Sequence, residues 1–484
     1  VLLASTLRAE SSDSDVKAEG EEHAQSEERA PPAKDEHAHD HLRLSDKAIG
    51  LQYERIPERP APIIEFGEPF LGTGEVSEPF ESITGAVWQP QLMVFGTART
   101  GFNFWDVNGA NRARGREIEW ANSLEAYAQL RLTPTERFLI GFSPFSRAGR
   151  YSGYRFKSEA RGLREHDGFE TFNAEPIAAF FEGDLGELFP GFDIQDEDAL
   201  DIGFAIGRNA IGPEFQDGLV INDRLDSLGI TRNTVKLPGI ANFRATALWA
   251  WGEVHRANGM EDSTADLFAL LFAADVNWDG NSQSSLEWDV AYVSSKHRTS
   301  SALYTGASAV QRFGAVATTF RYAYSHPFDE ESEEARRGHV FLADIGIRPT
   351  SADDIVYLGA FAGIGEYTQA ARDPSFNTAL AQVGILFEVS GLGQIPAALG
   401  DRPRRQVGAS LGYQLFFFDD RHQLTLEVGG LADSQHWHDH AGGLALRYQF
   451  ATWNRIVVRF DAWNVWRESG PPTTGLRAEV LVKF

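Results

Sequence analysis

Cysteine is missing from all 484 residues. Without it there is no disulfide, no thiolate metal site and no thiol nucleophile, and a thiol-free chain suits an oxidising compartment where mispairing is a hazard. Long apolar runs are missing too. The best one, "LFALLFAADV" at 267–276, is flanked by Asp266 and Asn277, whereas a membrane-spanning helix needs about 18 to 20 apolar residues. A membrane crossing by this chain therefore has to use strands. Positive charge is sparse: 44 Lys and Arg stand against 69 Asp and Glu, a formal net charge of −25. Nucleic acid is excluded as a partner, because binding phosphates needs a basic face. No GxSxG, HExxH or GxxxxGK[ST] occurs, so nothing signals catalysis or a nucleotide. The chain reads as a non-enzyme that requires no cofactor.

The sequence is 42% hydrophobic and 12% aromatic with 46 Gly, yet its mean hydropathy is only −0.30. That mixture fits many half-apolar strands better than a few long buried segments. From about residue 86 the texture has period two. In "IEWANSLEAYAQLRL", Ile118, Trp120, Leu124, Ala126 and Leu130 share one face while Glu119, Ser123, Glu125, Gln129 and Arg131 share the other, as alternation on a strand requires. "SLEWDVAYV", "RHQLTLEVGG", "LALRYQF" and "RIVVRFDAW" repeat the code. Upstream, residues 1–60 are acidic and rich in Glu, Ala, Ser and Lys, a composition too polar to offset chain entropy. They read as a disordered extension, 61–85 as a Pro-rich connector, and 86–484 as the folded body. The opening "VLLASTLRA" reads either as the tail of a signal peptide or as an ordinary stub.

Connections fall into two kinds. Those at 132–137, 348–354, 418–422 and 451–455 are tight, with Pro, Asp and Asn of ordinary turn chemistry. Those at 149–173, 209–239, 326–337, 368–404, 433–440 and 467–474 are long and polar. Tight turns on one side and long loops on the other are consistent with sixteen antiparallel strands. A hairpin hidden in 302–325 gives eighteen, and 379–388 reads like a further strand. A soluble β-sandwich also alternates. Opposed charges on the polar face and aromatics near strand ends (Phe416 to Phe418, Trp453, Trp463, Trp466, Trp249, Trp251) point instead to an all-β transmembrane barrel with a wet interior and aromatic girdles.

The last segment, "LRAEVLVKF", alternates up to Phe484. Through Val480, Val482 and Phe484 it resembles the C-terminal signature of Gram-negative outer-membrane β-barrel proteins, which the assembly machinery reads. The turn-and-loop asymmetry over 86–484 resembles the porin family. That resemblance implies an outer-membrane diffusion channel for small hydrophilic solutes or ions, lipid and lipopolysaccharide as surroundings, a homo-trimer, and an N-terminal extension in the periplasm. A substrate-selective or polysaccharide-exporting barrel is the runner-up. A closed structural barrel that recruits partners through its tail is the reading from another class.

Particular residues carry particular expectations. In porins a long loop folds into the lumen, and 209–239 contains the apolar run Leu219, Val220 and Ile221. Asp217, Asp223, Arg224, Asp226 and Arg232 are therefore placed at a constriction. Glu125, Arg131, Arg244, Arg321, Arg447, Arg459, Asp461 and Arg477 are placed on the lumen wall, where mixed signs act as a selective lining or as ion pairs that prop the wall. Two His-x-His-x-His runs (His37, His39, His41 and His436, His438, His440) have metal-ligand spacing. The loop "HPFDEESEEARRG" at 326–338 is a dense acidic tip.

Overall fold

The computed structural model describes residues 61–67, 79–108, 114–158, 166–192, 201–209, 215–277, 283–296, 300–349, 353–389, 391–434 and 440–484. Period-two segments become long antiparallel strands: β1 Gln91–Asn108, β2 Arg114–Arg131, β3 in two parts (Arg137–Phe142 and Arg150–Ser158), and β4 in two parts (Asp167–Phe169 and Pro176–Asp184). Next come β5 Gly203–Arg208, β6 Asp226–Leu237, β7 Ile240–His255, β8 Glu261–Asn277 and β9 Gln283–Ser294. β10 Ala302–Phe313, β11 Val316–Pro327, β12 Gly338–Ile347 and β13 Ile355–Gly365 continue the order. β14 Gln406–Phe417, β15 His422–Asp433, β16 Ala441–Ala451, β17 Ile456–Arg467 and β18 Thr473–Lys483 complete it. Each strand pairs with its neighbours in sequence, and β18 pairs with β1 from Gly475↔Trp105 to Lys483↔Thr97. The sheet is a closed barrel of eighteen strands.

Sixteen strands is thus corrected to eighteen. Residues 226–237, inside a segment expected to be loop, form β6, and 302–327 is the hairpin β10–β11 turned at Gly314. The expected strand at 379–388 is instead two short 3₁₀ turns, Ala379–Gln382 and Ile385–Phe387.

The seam explains the alternation at "LRAEVLVKF". Phe484 exchanges both backbone hydrogen bonds with Gly96, at 3.0 and 2.8 Å. A Cβ on Gly96 would lie 2.7 Å from the Phe484 ring and 2.2 Å from the Glu125 carbonyl, so only glycine admits the aromatic there. Below Phe484 the same edge of β1 is covered by Ile64–Phe66 of the connector, with Ile64 opposite Val94 and Phe66 opposite Leu92. No stretch of β1 between these partners is left as a bare edge, which hydrocarbon does not tolerate.

Alternation sends two chemistries to two faces. Phe102, Trp120, Ile230, Trp249, Leu270, Trp288, Phe320, Leu444 and Leu476 all point outward and stay exposed, Leu444 at 52%. A continuous exposed apolar belt around a closed cylinder is what lipid, not water, requires. Each such side chain taken out of water contributes about 1.5–3 kcal/mol. Trp463, expected in a girdle, faces inward instead, opposite Ala445 and Gly475.

Candidate functional site

Two connections fold back inside the barrel: the β5–β6 loop, over its described residues 215–225, and the β13–β14 loop, over 366–389 and 391–405. They zip together in parallel, Ile221 with Ala371 and Asn222 with Arg372. Ala370 N donates to Val220 O and Asp373 N to Asn222 O, both at 2.9 Å. The Tyr367 hydroxyl donates to Leu219 O at 2.7 Å and Gln369 to Gly218 O at 2.6 Å. Arg224 donates to Asp373 at 2.8 Å with its guanidinium 4.5 Å from the centre of the Phe376 ring. Burial alone raises the Asp373 carboxyl, but Arg224 and hydrogen bonds from Ser375 outweigh it and hold the group below the usual carboxylate range. Asp223 is fully buried and accepts from the His255 amide at 2.8 Å and ring nitrogen at 2.9 Å. Burial pushes its carboxyl up against those bonds.

The loops carry a hydrophobic core into the lumen. Phe215, Leu219 and Val220 from one, with Leu380, Leu386 and Phe387 from the other, pack on inward residues such as Leu267, Leu271, Tyr304 and Leu342. An inner wall this apolar would be wetted in an open pore; covering it is what drives the loops inward. Gly359 of β13 permits the approach, since a Cβ there would lie 2.1 Å from Val383 O.

Elsewhere the wall is charged, and the β13–β14 loop is pinned to it by polar contacts. Glu427 accepts from the backbone amides of Ile385 and Leu386, both at 2.8 Å. Glu388 meets Arg447 at 2.7 Å and Arg459 at 3.5 Å, while Asp461 meets the same arginines at 2.8 and 2.9 Å. Arg99 reaches Glu479 at 2.6 Å and Gly391 O at 3.0 Å, and Glu479 also pairs with Arg477. Farther round, Asn103 donates to Leu392 O at 3.1 Å and Gln394 N to Glu119 at 2.5 Å. Between the two parts of β3 the chain leaves the wall as a small hairpin, Ser146–Arg147 against Arg150–Tyr151, turned by Ala148 (φ 47) and Gly149 (φ 73). Gly149 N donates to Ser375 Oγ at 2.9 Å, and Tyr151 Oη to Gly391 O at 3.0 Å. The long loop is held from three sides.

The register places the expected wall residues as follows. Glu125 and Arg131 stand on the row of Thr97 and Gln91, Arg244 opposite Ala273, and Arg321 opposite Ser308. Arg447, Arg459, Asp461 and Arg477 form the ion-pair network above. Of the constriction set, Asp223 and Arg224 lie in the zipped loops. Asp217 is exposed beside them and pairs with Arg321, which also meets Asp344 at 3.2 Å. Asp226 and Arg232 are corrected. Both belong to β6, where Asp226 shares the outward row of Leu228 and Trp249 and meets Arg208 at 3.4 Å. Arg232 faces Ala245, whose row continues outward through Phe272 and Trp288. Reading 209–239 as one loop hid the strand that turns these two away.

Val480 and Val482 face outward opposite Thr100 and Ala98. His37, His39, His41, His436 and His438 lie outside the described residues; His440 is described, and its carbonyl accepts from Glu468 N at 2.9 Å. Among the described residues no group of three His, Asp or Glu has metal-holding geometry. The sequence reading missed the inward course of 366–405. Its signal was the apolar run "ALAQVGILFEV" at 379–389, too long for a loop in water.

Solved structures share this architecture. A BenF-like porin from Pseudomonas fluorescens superposes with a TM-score of 0.50 at 9% identity, over 81% of this chain and 98% of that one. The fold is that of an outer-membrane porin. OpdK of Pseudomonas aeruginosa, solved with vanillate, gives 0.48 at 11% identity over 81% of this chain and 98% of its own. No family model matches the sequence, and no curated protein resembles it in sequence. The porin fold is therefore recognised here through its backbone and not through its sequence.

Proposed function

We propose that this porin-fold barrel is an outer-membrane channel that discriminates among small hydrophilic solutes, as in the runner-up reading, and is not a wide unselective pore. The observation that carries this is the zipped pair of inserted loops. They cover the apolar side of the lumen and reach across to the charged side, narrowing the path a solute takes. A loop pinned at Glu427, Glu119 and Gly149 is preorganised, so a solute meets fixed donors and acceptors. Most of the arginines on β16–β18 and β1 already have carboxylate partners, so that part of the lining is mixed in sign and rewards solutes that hydrogen bond. In this reading the inserted-loop ends face outside the cell, the tight turns and Phe484 face the periplasm, and no step needs a cofactor.

Planar-bilayer recording tests it. Purified protein should give small steps, and a variant with residues 376–396 replaced by a short Gly-Ser link should give steps several-fold larger. Large ohmic steps from the unmodified protein would return the unselective pore; silence from both would return the closed structural barrel.

A further inference from the structure

A feature unrelated to the lumen lies on the outward face at the loop end of β11 and β12. Tyr322, Tyr324 and His326 alternate outward with the exposed Phe320, and His339 stands outward with the exposed Phe341. Their rings form a column: Tyr324 stacks on His339 with centres 4.4 Å apart, and Tyr322–His339 and Tyr324–His326 are each 6.0 Å apart. Tyr322 Oη lies 2.9 Å from His339 Nδ1, and Tyr324 Oη lies 3.2 Å from His326 Nδ1. A phenol is the better donor and a bare imidazole nitrogen the better acceptor, so each tyrosine donates and each ring keeps its proton on Nε2.

In that tautomer Nε2–H is each ring's remaining donor, on side chains that share the outward row at the level of an aromatic girdle. In hydrocarbon an unmet donor is costly, and a girdle that only anchors is served by Tyr and Trp. The arrangement therefore calls for an acceptor at headgroup depth. Arg337, exposed two residues before His339, adds positive charge. Asp329, Glu330 and Glu331 at the neighbouring exposed tip repel an anion, so the groups on this rim that suit one are the imidazoles and Arg337.

We propose that the Tyr322–Tyr324–His326–His339 column binds the phosphate of a phosphorylated glycolipid of the outer leaflet. This rests on the outer-membrane reading above. The test is native mass spectrometry of the purified barrel with diphosphorylated lipid A, and with the same lipid stripped of phosphate. The parent should retain the phosphorylated form about tenfold better, and His326→Gln with His339→Gln should remove most of that preference, as loss of hydrogen bonds to a charged oxygen does. Should the double histidine variant fail to fold, Tyr322→Phe with Tyr324→Phe keeps the girdle and, by freeing Nδ1 to take the proton, should lower the preference several-fold. Equal retention of both lipids by the parent, or an unchanged preference in a folded variant, overturns the proposal. Bilayer conductance of the folded variants should match the parent, because the column lies outside the lumen. A silent parent that still prefers the phosphorylated lipid would sink the channel reading alone.

Discussion

Arg224 and Asp373 come from loops 149 residues apart in sequence and meet at 2.8 Å inside the barrel, with side chains only 14% and 5% exposed. This pair closes the zipper between the two inserted loops. Removing one member of such a pair strands the other in a dry site, which typically costs about 3–5 kcal/mol. Arg224→Ala should loosen the zipper while the barrel stays folded, giving larger and noisier single-channel steps. An unchanged trace would mean that the apolar core alone holds the loops.

The same pair sets an acid limit. Asp373 titrates below its unfolded value, so its contribution is complete at neutral pH and is lost only as pH falls through that depressed value. The part of any conductance rise that depends on Asp373 should appear only below the ordinary aspartate value of 3.8, whereas the raised carboxyl of Asp223 takes up its proton at higher pH. A rise centred near pH 6 would assign the gate to another group.

Gly359 offers a steric test. A valine there drives a side chain into the Val383 carbonyl, so the β13–β14 loop must move off the wall. Gly359→Val should raise conductance and lower the melting temperature of the loop-dependent transition, whereas Gly346→Val, in a position with open space, should change neither.

Phe484 is predicted to act on assembly. Its ring occupies the space left by Gly96, and its backbone closes the β18–β1 ladder. Phe484→Ala should lower the yield of heat-modifiable folded barrel several-fold on gels, and Gly96→Val should do the same by collision. Normal yields from both would remove Phe484 from the closure step.

Much of the wall was legible because lipid outside and water inside impose strict alternation, as at Leu444, Leu446 and Tyr448 on β16. Legibility failed where that contrast disappears. On β6, polar Thr231, Arg232, Asn233 and Thr234 interrupt the code near the rim, and the strand passed for a loop. The apolar inward rows of β8, with Leu267, Ala269 and Leu271 facing a covering loop, made both faces greasy and concealed which side was lumen. The site was only partly readable, since Asp373, Glu388 and Gln394 act through contacts up to 275 residues away in sequence, and spacing holds no trace of such partners.

The short strand Ile64–Phe66 has a topological consequence. Phe484 faces Gly96 and Ile64 faces Val94, so only Phe95 separates them on the partner strand, and both run in the same direction along it. Residues 63–484 are in effect a ring cut at one point. Fusing Phe484 directly to Ile63 and opening the backbone at a tight turn, such as 452–455, should produce a circularly permuted molecule with an unchanged cylinder.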